Sequence, residues 1–303
     1  MQNHQADTGD EKWTILKILR WTTSYLTSHN TDSPRLDAEI LLGHTLGLER
    51  PELYMQYDLP LCGDELARFK SLIIRRANRE PTAYIVGMKG FWSLELAVTG
   101  DVLIPRPETE HLVESALSLI PGELSEAFSK RILDMGTGSG DIVLALASER
   151  PGHLFFASDR SAKAIDVARK NAARISLADT IRFFSGDWFA PLNRKGKGFD
   201  MILSNPPYIP TGEIRQLRPE IREYEPVAAL DGGKDGLACI RHIIRSAPAY
   251  LVPGGYLLLE IGHDQKASVR KIASDAGPYE NIVFSKDYGG HDRVVQLRVK
   301  GEG

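Results

Sequence analysis

The sequence predicts an α/β protein in which a small helical bundle precedes a mainly parallel, doubly wound sheet. Residues 1–80 carry apolar positions at helical spacing and no alternating pattern. Seven short apolar runs follow between residues 131 and 299, and helical patterns separate most of them. Only Gly289-Gly290 separates the last two runs, which predicts an antiparallel hairpin at the end of the sheet. Apolar strands that alternate with helices are typical of parallel sheets covered on both faces.

Composition limits the classes of function. The chain has 303 residues, of which 42% are hydrophobic and 25% charged, and a formal charge of −3. These values are typical of a globular protein and unlike the basic footprint of a protein that coats nucleic acid. No apolar run reaches the ~18–20 residues that cross a bilayer. The polar start, residues 1–7, lacks the features of a secretion signal.

Cys62 and Cys239 are too few and too far apart to indicate a disulfide framework or a metal site. We therefore expect a cytoplasmic protein that binds no metal and no membrane and requires no direct contact with nucleic acid. No feature demands more than a monomer.

The front end is predicted to be a helical domain. Apolar residues recur at helical spacing along 13–26, and a further amphipathic stretch covers 64–78. Between them, Ser33-Pro34 predicts a helix start, because serine caps helices and proline is favoured at the first helical position. Gly47 predicts the end of that helix.

A change of character at residues 82–104 predicts a β-hairpin that links two domains. Its β-rich runs lie at 84–87, 91–98 and 102–104. The predicted domains are a helical domain at 1–80, the hairpin linker at 81–106 and an α/β domain at 107–303.

Seven strands are predicted in the α/β domain. They lie at 131–135, 153–158, 180–185, 199–203, 256–261, 281–286 and 294–299, with two of the helices at 162–173 and 237–249.

A glycine-rich turn follows the first of these strands and precedes an apolar helix. Its residues are Gly136, Thr137, Gly138, Ser139 and Gly140. Glycines allow a tight turn and the close approach of a ligand to the backbone at a helix start. Asp159 ends the next strand, at the ~20-residue distance where a carboxylate accepts hydrogen bonds from ribose hydroxyls. Together they favour a nucleoside cofactor. The alternatives are a turn that merely needs small residues and an aspartate that caps the next helix.

Asp187 and Trp188 follow the third strand. Ligands of doubly wound sheets lie at the carboxyl ends of the strands, so both side chains can reach the same cleft. A carboxylate there can accept from an exocyclic amine, and an aromatic ring can cover a purine face. The alternative is a tryptophan that belongs to the core.

The tetrapeptide Asn205-Pro206-Pro207-Tyr208 closes the fourth strand and is the most specific local signal. Two consecutive prolines remove two backbone donors, which leaves the carbonyls of Asn205 and Pro206 with few local partners. The Asn205 side chain supplies another acceptor oxygen. Such a site suits a planar NH₂ group, whose two hydrogens are held while its nitrogen faces an electrophile, and Tyr208 can stack on the planar group.

This tetrapeptide, downstream of the glycine turn, resembles the signature of S-adenosylmethionine-dependent methyltransferases that act on amino groups conjugated to planar systems. Longer motifs are similar to those of one family, the release factor glutamine methyltransferases (HemK/PrmC). These motifs are 101–110, 186–189, 205–209, 225–226, 229–237, 259–262 and 287–295, and the similarity extends over about residues 34–299.

The resemblance implies a Rossmann-like, seven-stranded methyltransferase domain, joined by the hairpin to an N-terminal domain that docks the substrate. It implies S-adenosyl-L-methionine as cofactor, with S-adenosyl-L-homocysteine as product. The implied partner is a peptide chain release factor, methylated at N5 of the glutamine in its Gly-Gly-Gln loop. The expected catalytic residues are Asn205 and Pro206, and the expected substrate-binding residues are Asn205, Pro206, Pro207, Tyr208 and Glu225. The expected cofactor-binding residues are Gly136, Thr137, Gly138, Ser139, Gly140, Asp159, Asp187, Trp188 and Asn205.

The sequence departs from the family pattern at Asp141, Met135 and Gly100-Asp101, and of these we expect only Asp141 to lie near the cofactor. As a charge at a helix start, Asp141 should be tolerated.

Other charged groups keep two interpretations. Arg106 is expected to pair with Glu108, Glu110 or a substrate group, and Glu225 either contacts substrate or fixes a loop. Three arginines are interpreted as a solvated helix end or as a docking surface for an acidic partner: Arg75, Arg76 and Arg79.

Three rival functions remain. A DNA or RNA amino-methyltransferase would use the same tetrapeptide but normally needs a basic recognition region. A catalytically silent cofactor-binding subunit would not need the intact tetrapeptide. A nicotinamide oxidoreductase would need a different glycine spacing.

Overall fold

The computed structural model describes residues 12–120, 129–194, 196 and 198–301. The polar start that argues against a secretion signal lies outside them. The chain divides into two compact units, Met1–Val86 and Gly87–Gly303. Within the described residues, no helix combines the length and the apolar character that a membrane span requires.

The first unit is helical, as predicted. Its helices are α1 (Ile15–Ser28), α2 (Pro34–Leu46), α3 (Arg50–Met55), α4 (Gly63–Ala77) and α5 (Thr82–Val86). Pro34 occupies the first turn of α2, and Gly47 ends that helix in the left-handed conformation, with φ of 68°. Helices α1, α2 and α4 pack around one apolar core.

The basic cluster at the end of α4 is only partly solvated, since Arg75 is exposed and Arg76 is buried. Arg76 is buried, and its Nε donates to Asp37 on α2 at 2.8 Å. Arg75 pairs with Glu80 at 2.5 Å, and Arg79 donates to the carbonyl of Asn30. Arg76 therefore joins α4 to α2 and Arg79 joins the end of α4 to the segment after α1, whereas the pair of Arg75 is local.

The predicted hairpin is present but shorter than expected. It consists of β1 (Met88–Phe91) and β2 (Leu94–Ala97), which pair antiparallel and belong to the second unit. The run at 84–86 is helical, contrary to prediction, because the amides of Tyr84 and Ile85 bond to the carbonyl of Pro81. The run at 102–104 is not a strand.

The second unit contains the predicted seven-stranded sheet. Its strands are β3 (Arg131–Met135), β4 (Leu154–Asp159), β5 (Ile181–Ser185), β6 (Phe199–Ser204), β7 (Leu251–Glu260), β8 (Tyr279–Lys286) and β9 (Asp292–Val299), in the order β5-β4-β3-β6-β7-β9-β8. The first five of this order are parallel, and β9 pairs antiparallel with both β7 and β8. The terminal hairpin is therefore confirmed.

The helices of the second unit are α6 (Glu110–Leu117), α7 (Asp141–Glu149), α8 (Ala162–Arg174), α9 (Pro219–Tyr224), α10 (Ala238–Ser246) and α11 (Lys266–Ala276). Two apolar clusters form the core, one with α6 and α7 and the other with α10 and α11.

The strand order reverses beside β3. The chain runs from β3 through β4 to β5 on one side and then returns to β6 on the other. In open parallel sheets, ligands bind outside the carboxyl ends of the strands at such a switch point. The glycine-rich turn after β3 and the tetrapeptide after β6 both lie at this position.

Candidate functional site

A cleft of about 670 Å³ opens at the carboxyl ends of β3, β4, β5 and β6. Its size falls within the ~300–1,000 Å³ range of small-molecule sites. Its lining includes Gly136, Thr137, Gly138, Ser139, Asp159, Asp187, Trp188, Asn205 and Pro207.

The first four residues of the glycine-rich turn form one wall of this cleft, whereas Gly140 is not among the lining residues. Gly136 and Gly138 have φ of 72° and 54°, a region that side chains rarely adopt. A Cβ at Gly138 would meet no protein atom within 4 Å, so the backbone there is open to an incoming ligand. Beside it, the hydroxyl of Ser139 is buried and has no hydrogen-bond partner in the described part of the chain. The turn therefore offers both open backbone and an unused polar atom.

Asp159 holds the turn and also lines the cleft. Its Oδ2 accepts from the amide of Gly138 at 3.0 Å, and its Oδ1 accepts from the amide of Ser161 at 2.8 Å. Burial raises the pKa of this carboxyl, and the two amides oppose that shift. The capping alternative is wrong, because Ser161 is the N-cap of α8 and Asp159 only accepts from its amide, so the Asp159 carboxyl remains beside the ligand space.

Asp187 and Trp188 lie on the β5 side of the cleft. Asp187 is exposed, and Trp188 is partly buried against the α10 core cluster. Trp188 adopts a φ of 45°, which is costly for an aromatic residue. The Trp188 side chain therefore packs against the core and also lines the cleft.

Only two residues of the tetrapeptide line the cleft. Asn205 and Pro207 line the cleft, whereas Pro206 and Tyr208 are not among its lining residues. The hydroxyl of Tyr208 donates to Glu260 at 3.1 Å, and its carbonyl accepts from Gln265 at 2.9 Å.

The Asn205 side chain is anchored from behind. Its Nδ2 donates to the hydroxyl of Thr109 at 3.1 Å, and that hydroxyl donates to Glu260 at 2.6 Å. Sequence reasoning did not single out Thr109 or Glu260. The only signal was their place within the motifs at 101–110 and 259–262.

Glu225 is 5% exposed and is paired with Arg106, whose Nη2 lies 2.5 Å from Oε1. The expectation that Arg106 pairs with Glu108, Glu110 or a substrate group is therefore wrong, because its guanidinium group pairs with Glu225. The second oxygen, Oε2, is buried without a hydrogen-bond partner among the described residues. Burial raises the pKa of this carboxyl, and the Arg106 guanidinium opposes that shift.

Buried carboxylates concentrate near the cleft. Burial raises the pKa of Asp134 to about 7. Asp141 lies along the cleft, and although the residue is partly exposed, desolvation of its carboxylate and the nearby Asp134 raise its pKa to about 8. Gly100 and Asp101 also line the cleft, contrary to the expectation that only Asp141 does, whereas Met135 is buried in the core. In the described ranges, no group of three or more histidine, cysteine or acidic side chains is arranged to hold a metal ion.

Comparisons with known proteins agree with this architecture. Residues 17–87 match the family model of the PrmC N-terminal domain, and residues 111–217 match that of the methyltransferase small domain. A methyltransferase from Pyrococcus furiosus has the same fold, with a TM-score of 0.52 at 18% identity over 77% of this chain and 98% of that one. A human methyltransferase 10 domain containing protein gives a TM-score of 0.52 at 17% identity, over 69% and 88%. Fold and site together define a Rossmann-like methyltransferase.

Closer relatives identify the family. A release factor glutamine methyltransferase of Geobacter sulfurreducens is 44% identical over 289 residues, which is 95% of this chain and 98% of that protein. One of Vibrio cholerae is 44% identical over 292 residues, with the same coverage. The chain belongs to the family of release factor glutamine methyltransferases.

Proposed function

We propose that this protein methylates N5 of the glutamine in the Gly-Gly-Gln loop of a peptide chain release factor and uses S-adenosyl-L-methionine as the methyl donor. The observation that carries the proposal is the position of Asn205, which lines a cleft of about 670 Å³ together with a glycine-rich turn. Its relatives named as release factor glutamine methyltransferases support the same reaction.

The cleft fits the cofactor. Open backbone at Gly138 and the unpartnered hydroxyl of Ser139 suit the polar methionine end. Asp159 still has lone pairs for ribose hydroxyls, and Asp187 and Trp188 suit an adenine amine and face. S-adenosylmethionine, when bound, supplies the methyl group as an electrophile and leaves as neutral S-adenosylhomocysteine.

Asn205 and Pro206 are proposed to orient the glutamine amide. An amide nitrogen is a poor nucleophile, because its lone pair is delocalised. The side-chain oxygen of Asn205 and the carbonyl of Pro206 would each accept one amide hydrogen, which draws electron density to nitrogen and aims it at the methyl carbon. The nitrogen loses one proton to solvent after methylation, when that proton has become acidic.

Labelled S-adenosylmethionine, offered separately with a purified release factor and with unmethylated DNA, tests the reaction. We expect label on the release factor alone, and none when its Gly-Gly-Gln glutamine is replaced. Label on DNA would establish the nucleic-acid alternative instead. No transfer to either, with the cofactor bound, would revive the silent-subunit alternative.

Asn205→Ala tests the site. Loss of one preorganised polar contact to the reacting group costs about 10²–10³ in turnover. We expect kcat to fall by about that factor while the Kd for S-adenosylmethionine changes little. A collapse of cofactor binding with normal turnover at saturation would contradict the assigned role.

We also propose that Glu225 borders the substrate. The enzyme is further proposed to act as a cytoplasmic monomer without direct contact with nucleic acid.

The first unit is proposed to dock the release factor. The aromatic residues on α1 support the docking role: Trp21 is 49% exposed and stacks on Tyr25 at 5.1 Å between ring centroids. Trp21→Ala should raise KM for the intact release factor but not for a short Gly-Gly-Gln peptide.

A further inference from the structure

Asn205, Thr109 and Glu260 form a directed chain of hydrogen bonds. Asn205 follows β6, Thr109 precedes α6, and Glu260 ends β7. Asn205 Nδ2 lies 3.1 Å from Thr109 Oγ1, which lies 2.6 Å from Glu260 Oε2. Thr109 and Glu260 are each 1% exposed, so bulk water does not compete for these bonds.

The direction of the chain follows from counting hydrogens. An ionised carboxylate only accepts, so Thr109 must give its single hydroxyl hydrogen to Glu260. The Thr109 oxygen can then only accept, and the Asn205 group that faces it must be the NH₂ donor. The other oxygen of Glu260, Oε1, is also an acceptor, because the Tyr208 hydroxyl donates to it at 3.1 Å.

We infer that Glu260, acting through Thr109, is the positioning residue that decides which end of the Asn205 amide faces the cleft. Asparagine presents an acceptor or a donor of nearly the same shape, and only the acceptor can hold a hydrogen of the substrate amide. The inference rests on the proposed function, because it concerns how the glutamine amide is held. Reversing the chain would present NH₂ to NH₂ and remove that contact.

The chain depends on the charge of Glu260. Burial raises the pKa of Glu260, and Arg293 on β9 opposes that shift. Glu108 and Asp141 are acidic groups that act on it electrostatically, and the hydroxyl of Tyr208 donates to it. A protonated Glu260 can donate to Thr109, which frees the threonine hydrogen for the Asn205 oxygen. Turnover should therefore persist above the pKa of Glu260 and decline as pH falls through it.

A double-mutant cycle on Thr109 and Asn205 tests the inference in the full-length protein, once the wild type has been shown to label a release factor. That first result bears on the proposed function, and the cycle bears on the inference. At saturating S-adenosylmethionine we expect Thr109→Val to lower kcat about tenfold or more, with an unchanged Kd for the cofactor. In the Asn205→Ala background the same change should cause no further loss, because Thr109 acts only through Asn205. An equal loss in both backgrounds would overturn the inference.

Two variants separate positioning from packing. Thr109→Ser keeps the hydroxyl, so its kcat should lie within about threefold of wild type, unlike that of Thr109→Val. Thr22→Val also removes a buried threonine hydroxyl, one without a hydrogen-bond partner among the described residues, and should leave kcat unchanged. If Thr109→Ser lowered kcat as much as Thr109→Val, with an unfolding temperature equal to that of wild type, the inference would be overturned.

Glu260→Gln supplies a second, independent measurement. A neutral amide no longer dictates the direction of the chain, so kcat at pH 8 should fall and the acid limb of the kcat profile should disappear. Asp166→Asn, at an exposed position of α8, should keep the acid limb. An acid limb unchanged in Glu260→Gln would overturn the inference.

Discussion

At the scale of single residues, Asp141 places a carboxyl group where the family pattern led us to expect a small or apolar residue. Its carboxylate lies along the cleft and interacts electrostatically with Glu260, which is linked through Thr109 to Asn205. Desolvation raises the pKa of Asp141 to about 8, so this carboxyl is largely protonated at neutral pH in the ligand-free protein. A cationic ligand would favour its ionised form.

We therefore expect Asp141→Asn to discriminate between cofactor and product. S-adenosylmethionine carries a sulfonium charge that S-adenosylhomocysteine lacks. The variant should weaken binding of the cofactor by about tenfold, equivalent to ~1.4 kcal/mol, and that of the product by much less. Titration calorimetry with both ligands measures the two affinities. Equal losses for the two ligands would show that Asp141 does not respond to the charge.

At the scale of elements, the loop at 231–236 is packed directly against the tetrapeptide. The amide of Ile209 bonds to the carbonyl of Leu230, and the amide of Gly232 bonds to the carbonyl of Ile209. A Cβ at Gly236, whose φ is 70°, would lie 2.4 Å from the carbonyl oxygen of Tyr208. Glycine is required there because the two backbones touch.

Gly236→Ala should therefore displace Tyr208 and disturb Asn205 through the backbone. We expect a loss of about 1–3 kcal/mol in the free energy of unfolding, together with lower kcat. Gly212→Ala is the matched control, since a Cβ at Gly212 meets no atom within 4 Å. Thermal unfolding and turnover of both variants test this. Equal unfolding temperatures and equal turnover for the two variants would show that the loop accommodates the added methyl group without loss of stability.

Within the first unit, the ion pair of Asp37 and Arg76 connects α2 and α4, and Thr82 also donates to Asp37 at 2.6 Å. Removing one partner of a buried pair leaves the other charge uncompensated, which typically costs about 3–5 kcal/mol. Asp37→Asn should lower the unfolding temperature accordingly. Asp64→Asn, at an exposed position of α4, should have little effect.

At the scale of the whole molecule, local patterns predicted most of the fold. Apolar runs bounded by turns marked all seven strands of the sheet, and Gly289-Gly290 marked its terminal hairpin. The residues 84–86 were predicted wrongly, because Tyr-Ile-Val has β propensity but the bonds to Pro81 close a helical turn.

The framework around the site was harder to predict, because its contacts join distant parts of the chain. Arg106 meets Glu225 119 residues away, and Thr109 meets Glu260 151 residues away. Residue type marks such side chains as polar, but only the folded sheet determines which of them become partners. Lining residues such as Gly136, Asp187 and Asn205 were predictable because each follows a strand end, whereas Gly100 and Asp101, which lie outside the sheet, were not.

The buried carboxylates also affect the stability of the ligand-free protein as a whole. The pKa values of Asp134 and Asp141, about 7 and about 8, lie above those of unfolded aspartate, so the native state binds more protons between about pH 4 and 8. Stability from these groups is present at low pH and is lost as pH rises through their native pKa values. We expect the free energy of unfolding to decrease from pH 6 to pH 9.

Denaturant titrations at several pH values test this slope. Asp141→Asn should flatten it and gain at least about 1 kcal/mol at pH 9 relative to wild type. Asp166→Asn removes an exposed charge from α8 and should leave the slope as it is. A slope unaffected by Asp141→Asn would show that the carboxyl titrates normally.

If the hydrogen bond to Thr109 holds the Asn205 oxygen toward the cleft, as we propose, the site would also discriminate against chemically damaged substrates. Glutamine side chains age by deamidation to glutamate, which has no nitrogen to methylate and no amide hydrogens to donate. A site built around acceptors rejects such an analogue, by factors of up to about 10⁴–10⁵ in comparable enzymes. A release factor that had lost its amide would therefore remain unmodified, and the methyl mark would distinguish intact copies from damaged ones.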